Sequence, residues 1–318
     1  MLAVLLVLAC FIAVAAGNVF YEDADMQKFQ FTSFKRTYNK AYSTEAEEFS
    51  RFKTFVQNLR EIDMRNKEEA AVNGTAIHGI NSFADLTKEE FRKRYLNLDL
   101  SKAGANKAVK VEVKKVLNGD ANADWTGTLT TPVKDQAYCG SCWAFSATEQ
   151  LESDSMRMLG TNYILGPQQI VSCDPVSYGC SGGWPTWAFD YVMSAGGQEQ
   201  ESSYPYTSFN GDSGLCSANK ALNVVGISQY YQITASSASA IETAMASYVG
   251  TTGPLSICVD ANNWSSYRGG IMSKCGNSID HAVQMVGVNT AEGYWKVRNC
   301  DAASPNPNPN PNPYREEL

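Results

Sequence analysis

The sequence predicts a helical, charged N-terminal part, then a larger part organised around one short stretch. Three observations lead there. From Glu45 to Glu69 there is no Gly or Pro, and Phe52, Phe55, Val56, Leu59 and Ile62 recur at helical spacing. That is one apolar stripe on a long helix, in a charged region running from Tyr21 to Leu100. Ser101 to Ala123 is rich in Lys, Ala, Asn and Gly with little to bury, so it reads as an exposed linker, where proteolysis concentrates. The stretch Gln136-Ala137-Tyr138-Cys139-Gly140-Ser141-Cys142-Trp143-Ala144-Phe145-Ser146 then places two cysteines three apart before an apolar run. Trp143, Ala144, Phe145 and Leu151 predict a buried helix that starts at Cys142.

The chain of 318 residues is long enough for more than one domain, and its net charge of −7 argues against nucleic acid as the main partner. Met1 to Gly17 is an apolar run with small residues at Ala13, Ala15 and Ala16, read as a cleaved secretory signal. It is shorter than a membrane span, and no later stretch is apolar enough to make one. Nine cysteines in a secreted chain imply disulfides.

A thiol at the start of a helix sees the positive end of the macrodipole, which favours the nucleophilic thiolate. Gly140 allows a tight turn just before it. Two other readings of Cys139 and Cys142 exist. A redox dithiol would suit a compact thioredoxin-like unit and would make the two cysteines a reversible pair. A zinc site would need two further ligands, in a chain with only two histidines and no second C-x-x-C.

The N-terminal part carries a spaced pattern. Glu47, Arg51, Phe55, Asn58, Ile62 and Asn66 fit E-x3-R-x3-F-x2-N-x3-I-x3-N, and Gly79, Asn81, Phe83 and Asp85 fit G-x-N-x-F-x-D. These positions resemble the inhibitory propeptide of cathepsin L-like members of the papain family of cysteine peptidases. The Cys139–Trp143 stretch resembles the same family's nucleophile segment. Cys275-Gly276-Asn277, Asp280-His281-Ala282-Val283 and Val286-Gly287 resemble its histidine segment, and Tyr294-Trp295-Lys296-Val297-Arg298-Asn299 its asparagine segment. His281 lies 139 residues after Cys142 and Asn299 lies 157 after it. The only other histidine, His78, falls in the propeptide-like part.

The resemblance implies an α+β, papain-like fold with two lobes behind a helical prodomain: a helical lobe from about Ala123 to Cys216 and a β-rich lobe from about Leu222 to Asn299. It implies Cys142 as nucleophile, His281 as base, Asn299 as the group orienting the imidazole, and Gln136 as side-chain donor of an oxyanion hole. An amide suits the last task because it donates without a proton to lose. Gly179-Cys180-Ser181-Gly182-Gly183-Trp184-Pro185 resembles the substrate-backbone segment. Gly182 and Gly183 would let an extended peptide approach, with Trp184, Pro185, Cys258, Ile279 and Ala282 walling an apolar specificity pocket and Asp280 beside it. Disulfides Cys139–Cys180 and Cys173–Cys216 are implied, leaving Cys258, Cys275 and Cys300 unassigned.

The expected layout is a signal peptide at 1–17, an inhibitory propeptide at 18–120, a catalytic domain at 121–300 and an Asn-Pro tail at 301–318, with cleavage near 117–123. The expected function is peptide-bond hydrolysis through a thioester acyl-enzyme, made as a zymogen and acting as an endopeptidase, since no occluding-loop histidine pair is present. Neither cofactor nor metal is implied. Expected partners are protein or peptide substrates and the chain's own propeptide, with no nucleic acid and no membrane span, in a monomer. The expected location is the secretory pathway, ending in a lysosome or vacuole or outside the cell. Asn73-Gly74-Thr75 and Asn263-Trp264-Ser265 are candidate glycosylation sites, and Arg315-Glu316-Glu317-Leu318 loosely resembles a retrieval signal. After Asn299 the family continues Ser-Trp-Gly, where this chain has Cys300-Asp301-Ala302. That departure predicts an incomplete β lobe and an Asn299–His281 hydrogen bond that lies in water rather than under an indole. It also leaves open a second class, a binding protein that keeps the cleft without turnover, or a truncated gene product.

Overall fold

A computed structural model describes residues 19–112 and 121–300; the signal segment, most of the cleavage region and the Asn-Pro tail lie outside the described residues. Helix α1 (Ala24–Thr37) opens on Asp23, whose carboxylate accepts from the Asp25 and Met26 amides. Helix α2 (Glu45–Ala71) opens on Thr44. Phe31, Phe34, Phe55, Leu59, Ile62 and Ala84 make these helices a core of their own. After the short strand β1 (Ile77–His78), helix α3 (Lys88–Tyr95) starts with a reciprocal capping box between Thr87 and Glu90.

The polar positions of the spaced pattern bond the turn at 79–90 to α2. Arg51 pairs with Glu90 at 2.7 Å and donates to the Asp85 carbonyl. Asn58 donates to the carbonyls of Ala84 and Leu86, and Asn66 exchanges two hydrogen bonds with the His78 backbone. Asp85 accepts from Lys40 and Tyr42. Each side chain satisfies a backbone group or charge that would otherwise be buried alone. That is why residue type and spacing are fixed together.

The chain then runs across the larger part. Residues 101–112 are mostly exposed as expected, but they are not featureless, and Ala121 is buried. Strand β2 (Val109–Glu112) runs parallel to β6 (Tyr231–Thr234), and the Lys107 amide donates to the Asp190 carboxylate.

In the larger part, helices α4 (Cys142–Leu159), α5 (Pro167–Cys173) and α6 (Pro185–Ala195) pack around Trp143, Phe145, Leu151, Leu165, Ile170 and Val192. Disulfides Cys139–Cys180 and Cys173–Cys216 are present. Strand β4 (Gln198–Glu199) pairs with β5 (Asn223–Val225). The sheet is centred on β9 (His281–Asn289), every residue of which is buried. It pairs antiparallel with β10 (Tyr294–Arg298) on one side. On the other it meets β7 (Leu255–Val259) in its first half and β3 (Asn122–Asp124) in its second. Helix α7 (Ala238–Thr251) covers this sheet through Ala246 and Val249. Strand β8 (Tyr267–Gly269) pairs with β1 of the N-terminal part.

The lobe boundaries expected from sequence need correction. Residues 122–124 do not open the helical lobe; they fill the edge of β9 beyond Met285, where β7 has ended. Val225, Tyr230 and Cys300 return to the helical core. Each lobe is closed by chain from the other side of the nominal boundary.

Candidate active site

Cys142 is the first residue of α4, fully buried and outside any disulfide. Its neighbour Ser141, at the N-cap, turns its hydroxyl to Tyr206 at 2.9 Å instead of onto the helix. Cys139 is bonded to Cys180, so the reversible Cys139–Cys142 pair of the dithiol reading is ruled out in this fold. One turn along α4, Ser146 donates to the Val283 carbonyl at 2.8 Å, two residues beyond His281. Cys142 itself shares an apolar cluster with Ala282. The helix start and the start of β9 therefore face one another across the junction of the lobes.

His281 is fully buried, and its Nε2 lies 2.7 Å from Asn299 Oδ1. The same oxygen accepts from the Cys300 amide at 3.0 Å. As an acceptor it assigns the proton to Nε2, which leaves Nδ1 for the other side of the ring. The Trp264 indole stands edge-on to the imidazole, with centroids 6.0 Å apart and planes at 89°. The expectation of a water-exposed hydrogen bond is therefore corrected. An indole is present, supplied by the loop before β8 instead of the position after Asn299. Burial pushes the His281 imidazole down to about 4, against the Asn299 hydrogen bond and the Tyr95 backbone, which favour the charged ring.

Gln136 is also fully buried. Its amide nitrogen donates to the Tyr95 carbonyl at 3.3 Å and to the Cys139 carbonyl at 3.1 Å. Its own amide donates to the Cys300 carbonyl at 2.8 Å, and its carbonyl accepts from the Tyr206 hydroxyl. Among the described residues, the group held by the Gln136 side chain across the cleft is thus a backbone carbonyl of the N-terminal part.

Residues 95–99 cross this site as a strap. Leu98 is 4% exposed and sits with Cys142, Ala282, Trp184, Cys258 and Ile279. Its amide donates to the Asp280 carbonyl at 3.1 Å. Pro185 follows as the first residue of α6. A Cβ on Gly182, whose φ is +112°, would lie 2.1 Å from the Asn97 carbonyl oxygen, and one on Gly140 would lie 2.0 Å from the Asn97 amide. One on Gly183 would meet the Trp143 indole at 2.5 Å. Only glycine lets the strap and the wall come this close. Burial pushes the Cys258 thiol up to about 12, with Cys142 adding to the shift, so this pocket-wall thiol is neutral. Asp280 is raised to about 6 by burial, although it accepts from the Ala261 amide and the Asn262 side chain.

Family comparison decides what this arrangement belongs to. Residues 120–302 match the papain family cysteine protease model, and residues 31–91 match the cathepsin propeptide inhibitor domain. The chain belongs to the papain family of cysteine proteases. It is 36% identical over 92% of its length to a cysteine proteinase of Trypanosoma brucei brucei, and spans 64% of that protein's length. It is 35% identical over 91% of its length to a cathepsin L-like proteinase of Phaedon cochleariae, spanning 88% of it. A digestive procathepsin L 3 from Tenebrio molitor larval midgut superposes with a TM-score of 0.74 at 29% identity, over 87% of this chain and 90% of that one.

Within this papain-family chain, Cys142, Trp184, Cys258, Ile279 and Ala282 gather around Leu98, and His281 beside them is bonded to Asn299. Gln136 holds the strap at Tyr95, Gly182 lies against Asn97, and the Asp280 carbonyl accepts from Leu98, whereas Gly183 faces the Trp143 indole and Pro185 is buried at the start of α6. Sequence reading missed three participants. Leu98 was legible only as an apolar residue in a polar stretch. Tyr95 contributes its carbonyl, which no side-chain pattern marks. Trp264 stands out in the sequence only as the middle of a glycosylation triplet. Cys258 and Cys300 are outside disulfides, as is the exposed Cys275.

Proposed function

We propose that the chain is the zymogen of a cysteine endopeptidase that hydrolyses peptide bonds in proteins or peptides. The observation that supports this best is the strap. The N-terminal part lays a leucine in the apolar pocket and a carbonyl against Gln136, beside a cysteine at a helix start and a histidine bonded to an asparagine.

In the proposed reaction the Cys142 thiolate attacks the scissile carbonyl carbon. The carbonyl electron pair moves to oxygen, where the Gln136 amide and the Cys142 N–H stabilise it. The pair then returns, the C–N bond breaks, and His281 gives its proton to the leaving amine. The product of that half is a thioester. Water, losing a proton to His281, attacks the thioester, and the carboxylic acid leaves as the thiol group is restored. Asn299 holds the ring without adding charge. An apolar side chain would occupy the pocket that Leu98 fills.

With the strap in place burial holds His281 neutral, which disfavours the thiolate–imidazolium pair as well as blocking access. Removal of residues up to about 120 would expose the site. We place the protein in the secretory pathway, on the apolar start of the sequence and the two disulfides. The test is an active-site-directed thiol probe with a fluorogenic peptide. The processed enzyme is expected to label once per chain and turn over. Cys142→Ala is expected to do neither while melting as the parent does. Turnover by that variant would remove the assignment. Labelling without turnover would favour a binding protein that keeps the cleft.

A further inference from the structure

The proposed reaction leaves one buried charged cluster unused. Arg298, the residue before Asn299, is 1% exposed, and its Nη2 lies 3.3 Å from Oε1 of the fully buried Glu149. Its Nη1 donates to the Thr131 carbonyl at 2.5 Å. Glu149 lies two turns along α4 from Cys142, and its Oε1 also faces the Cys300 thiol at 3.8 Å. The charges facing the pair are Glu152 and its partner Lys134, 2.9 Å apart. Gln284 of β9 donates to the Glu149 carbonyl at 3.0 Å, behind the pair.

The placement is specific. The last strand residue holds Arg298; the next residue, Asn299, holds His281; the one after, Cys300, accepts from the Gln136 amide. Strand β10 ends at Arg298, so neither Asn299 nor Cys300 is held by its ladder. Glu149 thus ties α4 to the segment that places two proposed participants, through its ion pair with Arg298 and its contact with the Cys300 thiol.

We propose that Glu149 and Arg298 are positioning residues, fixing Asn299 and Gln136 in register with the helix that carries Cys142. This rests on the proposed function above. A buried ion pair is weak evidence of stability, since a matched apolar pair can replace it without loss of fold. Its retention beside a catalytic segment fits the role of setting geometry, where about 1 Å of misplacement can cost a hundredfold in rate.

The experiment compares the full chain with Glu149→Leu/Arg298→Met, which removes both charges together, and with Arg298→Lys, which keeps one. The histidines are only His78 and His281, so ¹⁵N-histidine labelling resolves each ring, and His78 serves as an internal reference. The double variant is expected to melt cooperatively but to lose protection of the His281 Nε2 proton by about tenfold or more, with His78 unchanged. After processing, kcat per titrated thiol should fall about tenfold, KM should stay within about twofold, and the pH profile of kcat/KM should shift with the His281 ring. Arg298→Lys should fall between the two, and is read the same way if the double variant does not fold. Unchanged His281 protection and kcat in a folded variant overturn the proposal. So does a lowered melting temperature with unchanged kcat, which marks a purely structural pair. The proton-exchange readout needs no turnover, so it stands even where the thiol probe fails to label the parent.

Discussion

The propeptide grips the larger part at two places built on opposite principles. At the cleft the strap of residues 95–99 uses backbone groups and one apolar side chain: the Tyr95 carbonyl, the Leu98 amide and the Leu98 side chain. At the remote end of α2 the grip is made by buried polar side chains. Arg65 donates to the Asn263 carbonyl at 2.7 Å and the Ser266 hydroxyl at 2.9 Å. Glu69 accepts from the Ser273 and Lys274 amides at 3.1 and 3.2 Å, and β1 pairs with β8. The strap reads the features a substrate peptide would present. The anchor reads loop backbone that no substrate needs to touch. If the propeptide inhibits as proposed, the anchor and the strap contribute to that inhibition through different groups.

The largest expected effect is at the strap. Leu98→Ala removes a buried side chain from the pocket, a change that costs about 2–5 kcal/mol in a packed core. Inhibition of processed enzyme by a separate 18–117 peptide should weaken by about a hundredfold. The peptide carries its own apolar core, so its circular dichroism should be unchanged. A change within about threefold would mean that the pocket is not where the affinity resides. Next in size is the anchor. Arg65→Met keeps the stem and loses two charge-assisted hydrogen bonds, so the inhibition constant should rise by about tenfold or more. A change within about threefold would mean that the anchor carries little of the affinity.

The same contrast explains what could be read in the sequence. Motif residues that satisfy backbone groups at fixed offsets, such as Arg51, Asn58 and Asn66, leave a signature because only certain side chains reach. Cys142, His281, Asn299 and Gln136 stand out in the sequence for a related reason: in the proposed reaction a thiol, an imidazole and two amides each have a task that few residue types can take. The strap left almost none, since a carbonyl belongs to every residue and Leu98 is one apolar side chain among many. The lobe boundaries were misplaced because pairing of β3 with β9 is long-range and sets no local pattern. The Asn299–His281 bond was expected in water because shielding was sought at one sequence position. Packing supplies it from Trp264, far along the chain.

The smallest effect at neutral pH, and the sharpest test of the comparison, is His78→Gln. His78 is buried at the anchor, its Nδ1 3.0 Å from the Ser266 hydroxyl that also accepts from Arg65. All three groups are satisfied when Ser266 gives its proton to a neutral ring. Burial first and the Arg65 charge second, opposed by Glu69, bring His78 down to about 4. In the released propeptide the ring would titrate near its ordinary 6.5. Between those values the released state binds a proton that the docked state does not. The docked state is therefore fully stable above pH 6.5 and loses stability as pH falls towards 4. His281 is also lowered when covered, but in the open enzyme it can take its proton from Cys142, so that pair exchanges none with solvent. Glu90, although half-buried, is held at about 2 by Arg51 and Thr87, so the propeptide's internal pairing survives across this window. The logarithm of the inhibition constant should change by about one unit per pH unit between pH 6 and 5 in the parent. In His78→Gln the slope should be close to zero, with inhibition at pH 7.5 within about threefold of the parent. A slope that persists in the variant would place the proton uptake at the strap instead, and the two grips would not divide pH sensing from substrate mimicry.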